Sequence, residues 1–194
     1  MRFAYADPPY IGCAKRHYKD QPDYAGEVDH KALTEQLYHE FPDGWVLSAS
    51  AKSLWDLLPI VPKSWECRIA IWCKPFSHLG AQGRPLWAWE PVIFRKGRKY
   101  NPPDLPPYDW LITNPHYAAI GHPGRNQKTV DKPIFKGAKP DEFCYWIFEL
   151  LNMQPGDELV DLFPGTGRVM RAWERYQEAG VSLFVGGELL GTAD

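Results

Sequence analysis

Short apolar runs constrain this chain more than any other feature; they fall at residues 3–6, 45–49, 68–73, 91–95, 158–162 and 181–185. Each is of strand length, and runs bounded by turn residues read as buried strands. Helical stretches lie between several of them. Asp29 is placed to cap a helix over residues 30–41, with Leu33, Leu37 and Phe41 on one face and Pro42-Asp43-Gly44 ending it. A short helix over 53–58 is stopped by Pro59. From Pro140 the pattern is again helical: Asp141 and Glu142 suit the dipole of a first turn, Phe143, Ile147, Leu150 and Leu151 recur at helical spacing, and Pro155-Gly156 ends it. A last helix covers 168–177. Strands separated by helices predict an α/β fold built of parallel βαβ units, a mostly parallel sheet with helices on both faces.

The chain of 194 residues is long enough for one domain with a full core and too short for two ordinary ones, so residues 1–194 are expected to form a single domain. Nine Trp, ten Tyr and nine Phe supply the apolar area for that core and argue against disorder. A net charge of −2 gives no global basic field for sequence-blind binding of nucleic acid. The four cysteines (Cys13, Cys67, Cys73, Cys144) form no C-x-x-C pair and the six histidines are scattered, so no metal site is expected. No targeting segment and no membrane-spanning run is visible, which predicts a soluble, cytoplasmic protein.

Two stretches lack any period. Residues 11–27 read as a loop, locally basic through Lys15, Arg16 and Lys19. Residues 97–133 are rich in proline, glycine and aromatic residues, and a structureless run of that length is usually functional. Arg95, Lys96, Arg98, Lys99, Arg125, Lys128 and Lys132 cluster around it among Tyr100, Tyr108, Trp110, His116 and Tyr117. Cations interleaved with aromatic rings suit phosphates and bases, and equally describe a solvated loop with packing rings.

The chemistry-bearing residues lie near the two ends. The first strand stops at Asp7-Pro8-Pro9-Tyr10. Neither proline has an N–H, so this corner presents acceptors, the Asp7 carboxylate and the carbonyls around Pro8–Pro9, to a group arriving with N–H donors. Tyr10 is placed to lie flat on a planar ring. A strand ending in a proline turn accounts for the same residues equally well. Near the other end, strand 158–162 runs into Phe163-Pro164-Gly165-Thr166-Gly167, a helix, another strand and Glu188. Strand, glycine turn, helix, strand and acid is the layout of a nucleotide-cofactor site: the helix N-terminus favours an anion and the acid is placed for ribose hydroxyls. Met170 holds the third glycine position of the dinucleotide fingerprint, so that reading is weak.

Together, Asp7-Pro8-Pro9-Tyr10 and Asp161-Leu162-Phe163-Pro164-Gly165-Thr166-Gly167 resemble the two signature motifs of S-adenosylmethionine-dependent amino-methyltransferases of DNA, D/N/S-P-P-Y/F/W and D-x-F-x-G-x-G. The order, catalytic motif first and cofactor motif near the end, is similar to the permuted β class of that family. Lys139-Pro140 before a helix resembles its K-P element, Gly186-Gly187-Glu188-Leu189 its ribose-binding motif, and Trp89-Glu90-Pro91-Val92-Ile93-Phe94 the strand that precedes target recognition. The resemblance implies a circularly permuted, Rossmann-like methyltransferase fold. Since the chain ends soon after Glu188, one edge strand is expected to be missing, and residues 97–133 form a small target-recognition region. A second copy or another partner would complete either surface.

The activity implied is transfer of a methyl group from S-adenosylmethionine to the N6 amino group of adenine in DNA. Asp7, Pro8, Pro9 and Tyr10 then form the catalytic corner. Asp161, Phe163, Gly165, Thr166 and Gly167 hold the methionine part of the cofactor, Glu188 its ribose, and Lys139 lines the same pocket. Lys15, Arg16, Arg95, Lys96, Arg98, Lys99, Arg125 and Lys128 are the candidate nucleic-acid contacts. N4-cytosine, RNA or another planar amine as substrate, and a non-catalytic binding module, remain as alternatives.

Overall fold

The computed structural model describes residues 1–14, 26–74, 88–113 and 139–179, and the backbone of 184–185 and 188–189. The elements are β1 (Arg2–Ala6), α1 (His30–Glu40), β2 (Gly44–Ser48), α2 (Leu54–Leu57), β3 (Arg68–Cys73), β4 (Trp89–Lys96), β5 (Trp110–Ile112), α3 (Asp141–Leu150), β6 (Glu158–Asp161), α4 (Arg168–Ala179), β7 (Phe184–Val185) and β8 (Glu188–Leu189). Two single 3-10 turns, Leu58–Ile60 and Lys63–Trp65, follow α2. Asp29 caps α1 as its sequence predicts, its carboxylate accepting from the Ala32 amide at 3.0 Å.

Strands β1 to β6 form one sheet in the order β5-β3-β4-β2-β1-β6. β1 pairs in parallel with both β2 and β6, and β3 with β5, while β4 runs antiparallel to β2 and β3. Five strands therefore share one direction and only β4 opposes them: a mostly parallel α/β sheet. The expectation that residues 91–95 belong to a parallel unit fails: β4 lies between β2 and β3 and hydrogen-bonds antiparallel to both. β5 is a second correction, an additional edge strand inside the 97–133 stretch read as structureless.

Alternation along β1 divides the core. Phe3 and Tyr5 face one side, where Trp72, Val92 and Phe94 meet Phe143, Ile147 and Phe148 of α3 and Val169, Trp173 and Tyr176 of α4. Ala4 and Ala6 face the other, with Leu47 and Ile93 against Leu33, Leu37 and Phe41 of α1. Helices thus cover both faces, as buried parallel strands require. The Glu149 carboxylate of α3 accepts from the Tyr176 hydroxyl of α4 at 2.5 Å, tying the two helices together beneath the aromatic cluster. Among the described residues no helix is long and apolar enough to cross a membrane.

Candidate active site

All five co-directional strands end on one edge of the sheet, and β4 begins there. Asp7 follows the last residue of β1, Asp161 closes β6, and Glu90 is the second residue of β4. Tyr5 and Asp161 are register partners, and the Leu162 amide donates to the Tyr5 carbonyl at 2.9 Å, so the two motif-bearing ends of the chain emerge together. Lys139 sits just before α3, whose N-cap is Pro140, and reaches across to the same edge.

There the side chains converge. Lys139 Nζ lies 3.0 Å from Asp7 Oδ1 and 3.7 Å from Glu90 Oε2. It also donates to the Tyr10 hydroxyl at 3.4 Å, and that hydroxyl donates to Glu90 Oε2 at 3.0 Å. Lys74, at the end of β3, pairs with Glu90 Oε1. The Lys139 side chain is only 7% exposed, against 23% for Asp7 and 22% for Glu90, so the ammonium is enclosed while both carboxylates are partly open. Its charge is also 5.8 Å from the Tyr10 and Phe143 ring centres and 5.9 Å from that of Trp72, an aromatic lining suited to a cation.

Burial pushes the Asp7 carboxyl up from the ordinary aspartate value against the opposing pull of Lys139. Burial, the largest influence, penalises a charged Lys139, yet Asp7, Tyr10, Tyr5 and Glu90 together outweigh it and hold the ammonium well above its usual value. Glu90 goes the other way: burial would raise it, but Lys139 and Lys74 together hold it below the usual carboxylate value. Burial keeps Tyr10 a phenol, and so a hydrogen-bond donor.

Beside this cluster the loop after β6 curls on itself. Asp161 Oδ1 accepts from the Phe163 amide at 3.1 Å, whereas Asp161 Oδ2 is buried with no hydrogen-bond partner among the described residues. Burial, with the neighbouring charge of Asp7 adding to it, pushes the Asp161 carboxyl up to about 6. Gly165 and Gly167 take φ of +45° and +69°, a left-handed backbone that costs other residues about 1–2 kcal/mol. The Gly167 amide donates to the Pro164 carbonyl at 2.6 Å, closing the turn immediately before α4. Pro164, Gly165 and Thr166 are exposed, and Phe163 is half-buried. A buried carboxylate oxygen with no partner beside an open glycine turn fits a ligand that brings a cationic donor, as the amino group of a methionine moiety would.

No protein-family model and no curated protein matches this chain. Solved structures do. A crystal structure of the M1.HpyAVI-SAM complex aligns with a TM-score of 0.57 at 15% identity, covering 91% of this chain and 78% of that one. A crystal structure of M1.HpyAVI aligns with a TM-score of 0.55 at 14% identity, covering 90% and 76%. The chain has the Rossmann-like methyltransferase fold that its motifs imply.

The remaining expected residues are dispersed. Glu188 pairs through its backbone with Val185 in the β7–β8 ribbon, and its side chain lies outside the described residues, as do Lys15, Arg16, Arg125 and Lys128. Of the strand expected over 181–185, only Phe184–Val185 is described; it pairs with Glu188–Leu189 in a sheet of its own rather than beside β6. Arg95, Lys96, Arg98 and Lys99 follow β4 to the opposite end of the sheet. Arg95 is buried, donating from Nε to the Trp65 carbonyl at 3.0 Å and stacking 4.5 Å over Tyr38. Arg98 grips both oxygens of Asp157, at 2.7 and 2.8 Å. Packing engages the first of these arginines and an internal ion pair the second. Lys96 and Lys99 are exposed.

Sequence reasoning assigned no role to Glu90 or Lys74. The available signal was a carboxylate at the mouth of the apolar strand Pro91–Phe94, which needs a cationic partner once enclosed. Among the described residues no cluster of His, Cys, Asp and Glu has the arrangement to hold a metal ion.

Proposed function

We propose that the chain transfers a methyl group from S-adenosylmethionine to the exocyclic N6 amino group of adenine in DNA, as a permuted β-class enzyme. The observation that carries the reading is the juxtaposition of the acceptor corner at Asp7 with the glycine turn after Asp161, on adjacent strands of the fold described above. The M1.HpyAVI-SAM complex, which shares that fold, supports the choice of cofactor.

The cofactor supplies an electrophilic methyl group, so the chain's task is to set a nucleophile in line behind it. Asp161 receives the cofactor's ammonium on its free oxygen. Phe163, Gly165, Thr166 and Gly167 cradle the methionine part and Glu188 takes the ribose. Asp7 and the Pro8 carbonyl accept the two N–H groups of the adenine amine, drawing its lone pair out of the ring and stabilising the positive charge that develops on nitrogen. Pro9 keeps the corner rigid, and Tyr10 stacks on a base flipped out of the duplex. Lys139 belongs to the same pocket and sets the charge state of Asp7.

Incubation with labelled S-adenosylmethionine and unmethylated DNA, followed by mass spectrometry of the nucleosides, tests the reading. N6-methyladenine is the expected product. N4-methylcytosine overturns the choice of base, label on RNA alone overturns the substrate, and no transfer to any nucleic acid overturns the activity.

A further inference from the structure

The reading just given leaves a difficulty at its centre. Asp7 is asked to accept from the substrate amine and to face growing positive charge, yet Lys139 already sits on its Oδ1 at 3.0 Å. A carboxylate neutralised by an ammonium is a poor acceptor for a second cation. Something has to take the lysine.

Glu90 is built for this. Lys74 anchors its Oε1, which leaves Oε2 turned towards Tyr10 and Lys139. Lys139 Nζ is 3.7 Å from Oε2, so a shift of about 1 Å brings it to the 2.7–2.9 Å typical of a charge-assisted hydrogen bond. Glu90 stays ionised for the exchange because two ammonium groups face it. The same Oε2 accepts from the Tyr10 hydroxyl, so one oxygen fixes the ring of the expected base-stacking residue and offers the lysine its second berth. Among the described residues, the remaining charged or titratable groups around Asp7 are Tyr5 on its own strand and Asp161 on β6. Neither is a second partner for the ammonium: Tyr5 shares its hydroxyl with Ser48 at 2.9 Å, and Asp161 faces the glycine turn.

We propose that Glu90 is a positioning residue of this site: it receives the Lys139 ammonium from Asp7 as the substrate amine binds, and it holds Tyr10 in place throughout. The proposal rests on the methyl-transfer reading for its substrate, while its electrostatic half concerns the ligand-free protein alone.

The test compares Glu90→Gln with Glu90→Asp. Glutamine keeps the shape and still accepts from Tyr10 but has no charge; aspartate keeps the charge and is shorter. In ligand-free protein, carbon NMR of the Asp7 carboxyl should show its titration moving to lower pH in Glu90→Gln, since a repelling charge is gone and Lys139 is left wholly to Asp7. In the methylation assay, Glu90→Gln should lower kcat by about 100-fold. The S-adenosylmethionine Kd, measured by calorimetry, should stay within about threefold. Glu90→Asp should retain more activity than Glu90→Gln. An unmoved Asp7 titration, or a glutamine variant as active as the aspartate one, overturns the proposal, because a role in packing alone favours the isosteric glutamine. If Glu90→Gln does not fold, the pair Glu90→Gln with Lys74→Gln restores the charge balance and carries the same NMR measurement. Wild-type protein that methylates nothing defeats the functional reading, and the Asp7 titration still decides the coupling to Glu90.

Discussion

Tyr5 and Asp161 are register partners on adjacent parallel strands, which sets the proline corner two residues past one beside the glycine turn that follows the other. Two motifs about 150 residues apart thereby stand side by side, and on the proposed function each has a separable task. Asp7→Ala should lower methyl transfer by roughly 100- to 1,000-fold, the usual loss for one preorganised polar group facing developing charge. Calorimetry should find S-adenosylmethionine binding retained, because the turn after β6 is untouched.

Asp161 gives the cleft a pH dependence. Its carboxyl is raised to about 6 by burial, with Asp7 adding to the effect. A ligand ammonium needs the ionised form, so cofactor affinity should be flat above about pH 7 and should weaken by up to about tenfold per unit once pH falls below 6. Asp161→Asn should bind more weakly and lose this slope. The stability effect has the opposite sense. A carboxyl raised by folding is a burden while ionised, above pH 6, and is relieved as it protonates below. The Tm gain of ligand-free Asp161→Asn over wild type should therefore be larger at pH 7.5 than at pH 4.5.

At Gly165, backbone and space separate cleanly. Among the described residues a Cβ there would meet only the Phe163 carbonyl oxygen, at 3.8 Å, while φ is +45°. Gly165→Ala should cost about 1–2 kcal/mol of stability through the left-handed backbone, read by urea denaturation. Gly165→Arg should fold comparably and lose cofactor binding, because its side chain projects over the turn where the ligand is expected.

The two ends of β4 should answer differently to mutation. Arg98→Ala removes the Nη2 donor shared by both oxygens of the buried Asp157 carboxylate and should destabilise the protein by about 1–3 kcal/mol. The salt dependence of oligonucleotide binding should be unchanged, since this guanidinium is engaged by Asp157.

Much of the architecture could be read in the order of residues. Strands β1 to β3 and β6 are apolar runs bounded by turn residues, and α1 carries its cap in Asp29. The meeting of Asp7 with Asp161 was legible because each closes a strand of that kind. The direction of β4 was not: an apolar run buried on both faces looks the same whichever way it points. With the strand reversed, Arg95 and Arg98, the expected nucleic-acid contacts, stand at the end of β4 away from Asp7, while Glu90, which had no assigned role, lies beside Lys139. Three residues of β5 were hidden because Trp110-Leu111-Ile112 is too short an apolar run to stand out as a strand in a proline-rich stretch.

The reversed strand also supplies a molecular ruler. Six residue steps separate Glu90 from Lys96, about 20 Å along a strand. A small amine seated at the proline corner cannot span that distance, whereas a polynucleotide can. Neutralising Lys96 and Lys99 therefore tests reach: a lost affinity reports an extended polyanion laid along β4, and an unchanged one assigns the polyanion's contacts to other residues.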